Sequence, residues 1–500
     1  MDSPKICLTL TGKTIQEDLD ILEKYRDYID IAELRADYLD DNERLFIRNF
    51  PRLAGIPCIL TIRRKLDGGN FVDGESARTI LFARALAFAD SDKSKNYEYI
   101  DFEEDFHIPS LQDAALAFGI KIIRSVHNMT DPIYNIGEKL ESLRTTGYEI
   151  PKIAFMPHTL KDVQRLFEEA SKLKDDNHIV VAMGPLGTPS RILSAKLGNY
   201  LTYTSAVENA SNTQNIGHMD PVTLCNTYNF RSIDENTELY GITGFPLTAT
   251  SSPLLHNGGY KAKNINAVYI PIRAERIEDA LSFSSSIGMK GLSVTVPHKE
   301  KVTQYLSDCD AKVQSIGACN TIVWKTDGWH GYNTDAVGFE RALLAFLNCK
   351  NLRYKKVAVI GAGGAAKAIC YTIKKLHGDA CIFNRTLGKA KLLAEQFGFE
   401  YAPLGSESLP ILKKYNSIMI QTTSKGMGSE GAPNADNDPL YFYNFTGKES
   451  LFDIVYVPEV TPVMARAKEA GCQVCNGYQM LLEQGYEQFE LFTGEKYCGN

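Results

Sequence analysis

"KKVAVIGAGGAAKAICYTIKKL", residues 355–376, decides what the C-terminal part of the chain is. An apolar run, Val357 to Ile360, passes directly into Gly361, Ala362, Gly363 and Gly364, and a helical pattern opens at Ala365. Strand, glycine turn and helix in that order let a backbone approach a ligand closely and aim a helix N-terminus at a pyrophosphate. Ala366 stands where such loops often place a third glycine, at a helix–strand contact that tolerates a methyl group. A lone glycine loop is weak evidence. Here a second strand, "ACIFNRT", follows at the right distance and ends in Asn384, Arg385 and Thr386, with Lys389 one turn on. An acid at that strand end would bind the 2′-hydroxyl of NAD; an arginine and a hydroxyl suit the 2′-phosphate of NADP. The alternative is a solvated basic turn.

Five hundred residues is too long for one domain, and 44% apolar with 23% charged residues describes an ordinary globular chain. A net charge of −7 offers no broad positive field, so nucleic acid and anionic membranes are not expected partners. The N-terminal "MDSPKICLTLTGK" has no signal core or transit character, and no run approaches a membrane span. Cys7, Cys58, Cys319, Cys370 and Cys381 sit in apolar surroundings, which suits a reducing compartment. A cytoplasmic enzyme is expected. No C-x-x-C pair and no metal-ligand spacing are read from the sequence, so no metal is expected.

The N-terminal part contains eight strand candidates: "KICLTL", "IDIAELR", "PCILTIR", "YEYIDF", "IKIIRSV", "KIAFM", "HIVVAM" and "YLTYTS". Helical patterns such as "GESARTILFARALAFA" and "LKDVQRLFEEASKL" lie between most of them. Eight β/α units over residues 1–230 predict a (β/α)8 barrel, whose chemistry sits at the C-terminal ends of the strands. Those ends offer Glu33, Arg35, Arg63, His127, Lys152 and Arg191, with Asp67 just beyond strand three. Each has a plain reading by itself: Glu33 and Arg35 as a surface pair, His127 as a satisfied loop histidine, Lys152 as a frayed strand start that snorkels to water. On one rim they make a chemistry. A lysine among arginines has its charged form disfavoured, and a free amine forms an imine with a ketone. The imine acidifies the neighbouring C–H, a histidine takes that proton and serves a leaving hydroxyl, and arginines hold a carboxylate.

"ELR", "LTIRRKLDGG", "SVH", "PKIAFMP" and "PSR", in that order over residues 5–220, resemble the motifs of type I 3-dehydroquinate dehydratase. The resemblance implies that Lys152 forms the imine, that His127 is the general acid/base, and that Glu33, Arg35, Arg63 and Arg191 shape the substrate pocket. The family usually closes its last loop with Ser-Ala-Pro-Gly-Gln. This chain has "ASNTQNIGH", one residue shorter, with Ser211 and Gln214 as the nearest equivalents.

A linker near 230–237 precedes "ELYGITG", "INAVYIP", "KGLSVTVP" and a hairpin, "NTIVWKTDGWHGYNTD". These predict a substrate lobe over 238–345 and a nucleotide lobe over 346–500. "GFPLTATSSPLLHN", "SVTVPHK", "GACNT", "GYNTDAVGF", "TTSKGMG", "FDIVYVPEVTP" and "NGYQMLLEQGYEQFELFTG" are similar to the signatures of shikimate dehydrogenase. That resemblance implies Lys299 and Asp335 as the catalytic pair, with Thr250, Ser252, Thr295, Asn320, Asn333 and Gln484 on the substrate. It implies NADP held by Gly361, Ala362, Gly363, Gly364, Ala365, Asn384, Arg385, Thr386 and Lys389. Thr250 stands where the family often has serine. Ser293, where asparagine is common, is read as structural. Two further readings stay open: quinate as the dehydrogenase substrate, and a decayed enzyme pair acting as a metabolite-sensing regulator. The intact Lys152, His127, Lys299 and Asp335 count against the regulator.

Overall fold

The computed structural model describes residues 3–87, 90–173, 177–247, 250–429 and 431–498; the side chain of Gln214 lies outside the described residues. The chain divides into two compact units, residues 1–289 and 290–500.

In the first unit all eight expected strands form: β1 (Lys5–Leu10), β2 (Ile31–Arg35), β3 (Cys58–Thr61), β4 (Tyr99–Glu103), β5 (Lys121–Asn128), β6 (Ile150–Phe155), β7 (Ile179–Ala182) and β8 (Leu201–Ser205). They pair in parallel from β7 down to β1, and β1 pairs with β8. Side chains alternate faces along each strand, so every second residue enters the barrel. The lower layer is Cys7, Ile31, Ile59, Tyr99, Ile123, Ile150, Ile179 and Leu201, packed as one cluster that Tyr203 joins. Two residues further on, the layer turns polar: Thr9, Glu33, Thr61, Asp101, Ser125 and Lys152 are all buried. Burying one large aliphatic side chain contributes about 1.5–3 kcal/mol, so the apolar floor helps offset the cost of the ionised layer above it. Outside, two helix starts, at Thr14 and Thr159, carry a capping box. Thr159 caps the helix Leu160–Ala170, and Asp162 returns the bond.

The ring closes unevenly. Between β7 and β8 the backbone makes a single bridge, His178 to Asn199. The Asn199 side chain does the rest: its Oδ1 accepts from Val180 N at 2.7 Å and its Nδ2 donates to Val180 O at 3.0 Å. Asn199→Ala strands both backbone groups of Val180 in the interior, at about 1–3 kcal/mol each. The expected result is a lower thermal midpoint; an unchanged midpoint would mean that another group closes the seam.

This unit runs past the linker expected at 230–237. β9 (Glu238–Gly244) and β10 (Ala267–Arg273) pair in parallel. The following helix, Ile277–Ser286, sets Phe283 edge-on against Phe167 of helix Leu160–Ala170, with centroids 5.6 Å apart.

The second unit begins with β11 (Gly291–Val294), β12 (Asp308–Cys309), β13 (Thr321–Lys325) and β14 (Gly328–Tyr332). β13 and β14 form the expected hairpin, and Gly328 leaves the turn at φ +129°. Then come β15 (Lys356–Ile360), β16 (Asp379–Asn384), β17 (Glu400–Pro403), β18 (Ile418–Gln421), β19 (Ser450–Asp453) and β20 (Gln473–Cys475). Their order, β17-β16-β15-β18-β19-β20, all parallel, is the doubly wound dinucleotide-binding arrangement.

All eleven cysteines are free. Cys472 and Cys475 make one C-x-x-C spacing, which corrects the expectation that the eleven cysteines hold no C-x-x-C pair. Burial raises both thiol pKa values, against a reactive pair.

Candidate active sites

Each unit carries a polar cluster, the first at the carboxyl ends of the parallel barrel strands and the second beside the antiparallel strands β11, β13 and β14. In the barrel, Glu33, Arg35, Arg63, Asp67, His127, Lys152 and Arg191 line one cavity, together with Tyr203, Ile216 and His218. Lys152 is 5% exposed and lies inside β6, so it is no frayed strand start. Its ammonium donates to Asp101 Oδ2 at 3.0 Å and sits 4.1 Å from the Tyr203 ring centroid.

Asp101 belongs to a buried ladder of charge. Arg78 pairs with Glu103 at 2.6 Å, Glu103 with Arg63 at 2.8 Å, Arg63 with Asp101 at 2.9 Å, and Asp101 with Lys152. Burial disfavours the Asp101 carboxylate, but Arg63 and Lys152 outweigh it and hold its pKa well below the usual range. Arg35 forks onto Asp37 at 2.9 and 2.8 Å. Glu33 accepts from the hydroxyls of Thr9 and Thr61, both at 2.8 Å. The expected reading set a lysine among arginines; in the resting structure Arg35 and Arg63 are each met by acids, and Lys152 shares Asp101 with Arg63.

Arg191 differs. Its guanidinium donates to the backbone oxygens of Tyr203 at 3.4 Å and Ile216 at 2.6 Å, and its Nε is buried without a partner among the described residues. Burial alone lowers its pKa to about 10. Of the three pocket arginines it alone has no carboxylate among the described residues. Burial, then Arg63 and Lys152, pushes the His127 pKa well below its ordinary value, so the imidazole is neutral at pH 7. Ser211 is exposed and does not line the cavity; its place on the closing segment is taken by Ile216 and His218. The expected Gln214 contact falls on a side chain outside the described residues.

In the second unit Lys299 follows β11, and Cys319 N donates to its carbonyl at 2.8 Å. Its ammonium donates to Asp335 Oδ2 at 2.6 Å. Asp335 opens the helix Asp335–Phe346, where the positive end of the dipole favours a carboxylate. Asn320 Nδ2 reaches Asp335 Oδ1 and Thr334 Oγ1, both at 2.9 Å, and Gln484 Oε1 at 3.5 Å. Gly338 makes this possible: a Cβ there would lie 2.7 Å from both Gln484 N and Met480 O, so the two helices cross backbone to backbone. Thr295 is half-buried beside Lys299's loop. Asn333 is spent on structure: it is 1% exposed, donates to Ala318 O at 2.9 Å and accepts from Ala336 N at 3.1 Å. Ser293 donates to Gln488 at 2.9 Å inside the core. Thr250 and Ser252 lie in the first unit, their hydroxyls 3.1 Å apart.

The glycine loop meets the demands of a dinucleotide. Gly361 has φ +115°, and a Cβ there would lie 2.5 Å from Thr422 Oγ1. Gly363 caps the helix Gly364–Lys375 without a side-chain bond, and a Cβ on it would touch nothing within 4 Å, leaving the helix N-terminus open. A Cβ on Gly364 would lie 3.9 Å from Lys299 Cδ, which brings the lysine to the cradle. Ala362 is half-buried, as is Ala365, while Ala366 is fully buried in the core. Asn384 and Arg385 border a groove with Ser424 and Lys425, which the motif reading did not single out. Arg385, Thr386 and Lys389 are exposed.

A barrel with a buried lysine and a doubly wound dehydrogenase fold place the chain among enzymes that combine a lyase with an oxidoreductase. It is 33% identical over 487 residues to the chloroplastic bifunctional 3-dehydroquinate dehydratase/shikimate dehydrogenase of Arabidopsis thaliana, covering 93% of this chain and 78% of that protein. The chain belongs to the family of bifunctional 3-dehydroquinate dehydratase/shikimate dehydrogenases. Family models agree segment by segment: type I 3-dehydroquinase over 6–235, the shikimate dehydrogenase substrate-binding domain over 242–322, shikimate/quinate 5-dehydrogenase over 344–429 and the shikimate 5′-dehydrogenase C-terminal domain over 477–496. A shikimate dehydrogenase (NADP+) of Caldanaerobacter subterraneus subsp. tengcongensis is 36% identical over 269 residues, 53% of this chain and 94% of that one. Among solved structures, the dehydroquinate dehydratase and shikimate dehydrogenase from S. pombe is 22% identical, with TM-score 0.43 over 99% of this chain and 97% of that one.

Proposed function

We propose that the chain dehydrates 3-dehydroquinate to 3-dehydroshikimate through an imine on Lys152, and reduces that product to shikimate with NADPH. The observation that carries the first step is Lys152 buried on Asp101 in a cavity that holds a neutral His127 and an acid-free Arg191. The substrate carboxylate pairs with Arg191 and relieves its buried charge. Lys152 adds to the ketone carbon, the C–O bond breaks, and the two protons the nitrogen loses leave with that oxygen as water, which gives a protonated imine beside Asp101. His127, already neutral, takes the proton from the adjacent carbon. That proton then goes to the departing hydroxyl, and water releases the product from Lys152.

In the second step NADPH supplies the hydride. The residues present fit it: the uncapped helix at Gly363 would receive the pyrophosphate, and Arg385 with Thr386 would meet the 2′-phosphate. Lys299 aims its ammonium at the ketone oxygen and delivers the proton, while Asp335, fixed by Asn320, orients the amine and bonds a ring hydroxyl. Asn320, Gln484 and Thr295 remain substrate contacts in this reading; Asn333 acts through the backbone it holds. The three segments 1–230, 238–345 and 346–500 would carry lyase, substrate and nucleotide functions. Among the described residues no helix is long and apolar enough to cross a membrane. A cytoplasmic setting is supported by the free cysteines.

Incubation with 3-dehydroquinate, with and without NADPH, tests the whole reading: 3-dehydroshikimate without the cofactor and shikimate with it. No turnover in a folded protein would favour the regulator, and reduction of 3-dehydroquinate to quinate would move the dehydrogenase preference. Cofactor choice has its own test. Arg385→Ala raises the KM for NADP and spares that for NAD, lowering the preference about ten- to a hundredfold, as loss of a charge-assisted bond of about 1.5–3 kcal/mol requires. Equal losses with both cofactors would make Arg385 structural.

A further inference from the structure

The lyase cavity contains a second imidazole that the two-residue lysine–histidine chemistry leaves unused. His218 lines the same cavity as Lys152, His127 and Arg191. Its ring lies nearly parallel to that of Tyr203, 13° between planes and 6.4 Å between centroids, and Tyr203 in turn lies under the Lys152 ammonium. Its Nδ1 is buried and finds no partner among the described residues. An unpartnered buried ring nitrogen beside a cavity costs free energy unless a ligand meets it.

The segment that carries His218 is held in place. Arg191 donates to Ile216 O at 2.6 Å. Gly217 has φ +73°, and a Cβ on it would lie 2.6 Å from Gly184 O, so only glycine lets the chain pass there. Ser205 N donates to Met219 O at 3.1 Å. The residue after Gly217 is thereby fixed at the cavity next to Arg191, whereas Ser211 is exposed and away from the lining. Burial, then Arg191, Arg35 and Lys152, pushes the His218 pKa well below its ordinary value, so the ring is neutral at pH 7 and has one N–H to donate.

We infer that His218 is a further catalytic residue of the dehydratase, donating a hydrogen bond to the hydroxyl that leaves. The inference rests on the lyase reading above. In 3-dehydroquinate the leaving hydroxyl shares a carbon with the carboxylate, and Arg191, the acid-free arginine, fixes that carboxylate beside His218. The step balances without a second proton donor. His127 takes the C–H proton, the electron pair moves through the enamine, the C–O bond breaks with its pair on oxygen, and His127 returns the proton to make water. His218 bonds the oxygen while its charge grows, so the bond strengthens in the transition state and acts on kcat more than on KM.

His218→Phe keeps a flat ring against Tyr203 and removes the nitrogens; His218→Asn keeps a short donor. The expected result is a kcat for dehydration about 10- to 100-fold lower in His218→Phe, with KM nearly unchanged and partial recovery in His218→Asn. Borohydride still traps the imine on Lys152 in both variants, because imine formation precedes hydroxyl departure. Wild-type kcat in folded His218→Phe overturns the inference, and so does loss of trapping there, which would place the effect before the elimination. Failure of trapping in the wild-type enzyme would instead sink the imine reading itself, so the two failures are distinct.

Discussion

Lys152→Ala loses dehydration of 3-dehydroquinate by about 10⁴-fold or more in kcat, while oxidation of shikimate by NADP continues at the wild-type rate. The first part follows from covalent chemistry: without the amine no imine forms, and the remaining groups act on an unactivated ketone. The second follows from the placement of Lys152 in β6 and of Lys299 and Asp335 in the other compact unit. The barrel survives the change, because Asp101 keeps Arg63 at 2.9 Å and Ser125 Oγ at 2.6 Å and is not left as a lone buried charge. Borohydride added with substrate to the wild-type enzyme inactivates dehydration and adds ligand mass at Lys152. Mass on another lysine, or a variant that still dehydrates, would reject the imine.

Lys299→Ala has the next largest effect. Hydride arriving at the ketone carbon leaves charge growing on oxygen, and the ammonium both stabilises that charge and supplies the proton. The loss in kcat is about 10²–10⁴, with little change in KM for shikimate. The competing view, an ion pair that only braces the fold, predicts a lower melting temperature and a normal kcat in whatever remains folded. Asp335 argues against it: without the lysine it still accepts from Asn320 at 2.9 Å at the start of its helix, so the fold is not left with an unpaired acid. Melting temperature and kcat measured on one preparation separate the two views.

The eight barrel strands were legible because each is a short apolar run with turn or helix signals at its ends, and Lys152, His127 and Arg191 stood out as polar residues at those ends. The acids that balance them did not. Asp101 and Glu103 sit in "YEYIDFEED", where apolar neighbours invite reading a strand and ignoring its inward polar face. Alternation counted from Tyr99, two and four residues on, would have found both. Asn199 was invisible because its role depends on a backbone gap between two strands that only the closed ring defines. Asn333 had the right residue type in the right motif, yet its amide is consumed by Ala318 and Ala336. His218 escaped because the resemblance directed attention to Ser211 and Gln214, and a segment one residue shorter shifts which side chain faces inward. In the second unit the glycine loop and the basic strand end announced themselves, since their constraints are local and one turn of sequence suffices to state them.

The charge ladder has a consequence for how little the barrel must rearrange during turnover. Its buried members are Arg78, Arg63 and Lys152 against Glu103 and Asp101. With Lys152 as an ammonium the ladder holds one surplus positive charge. A protonated imine carries that same charge at nearly the same place, so forming it changes the bonding at nitrogen without changing the net charge of the ladder. Only the uncharged amine differs, and at that moment two cations face two anions and the ladder is neutral. The nucleophile is thus the one form of Lys152 that leaves the ladder with no surplus charge. Within the ladder, attack needs no added counterion to balance the charge.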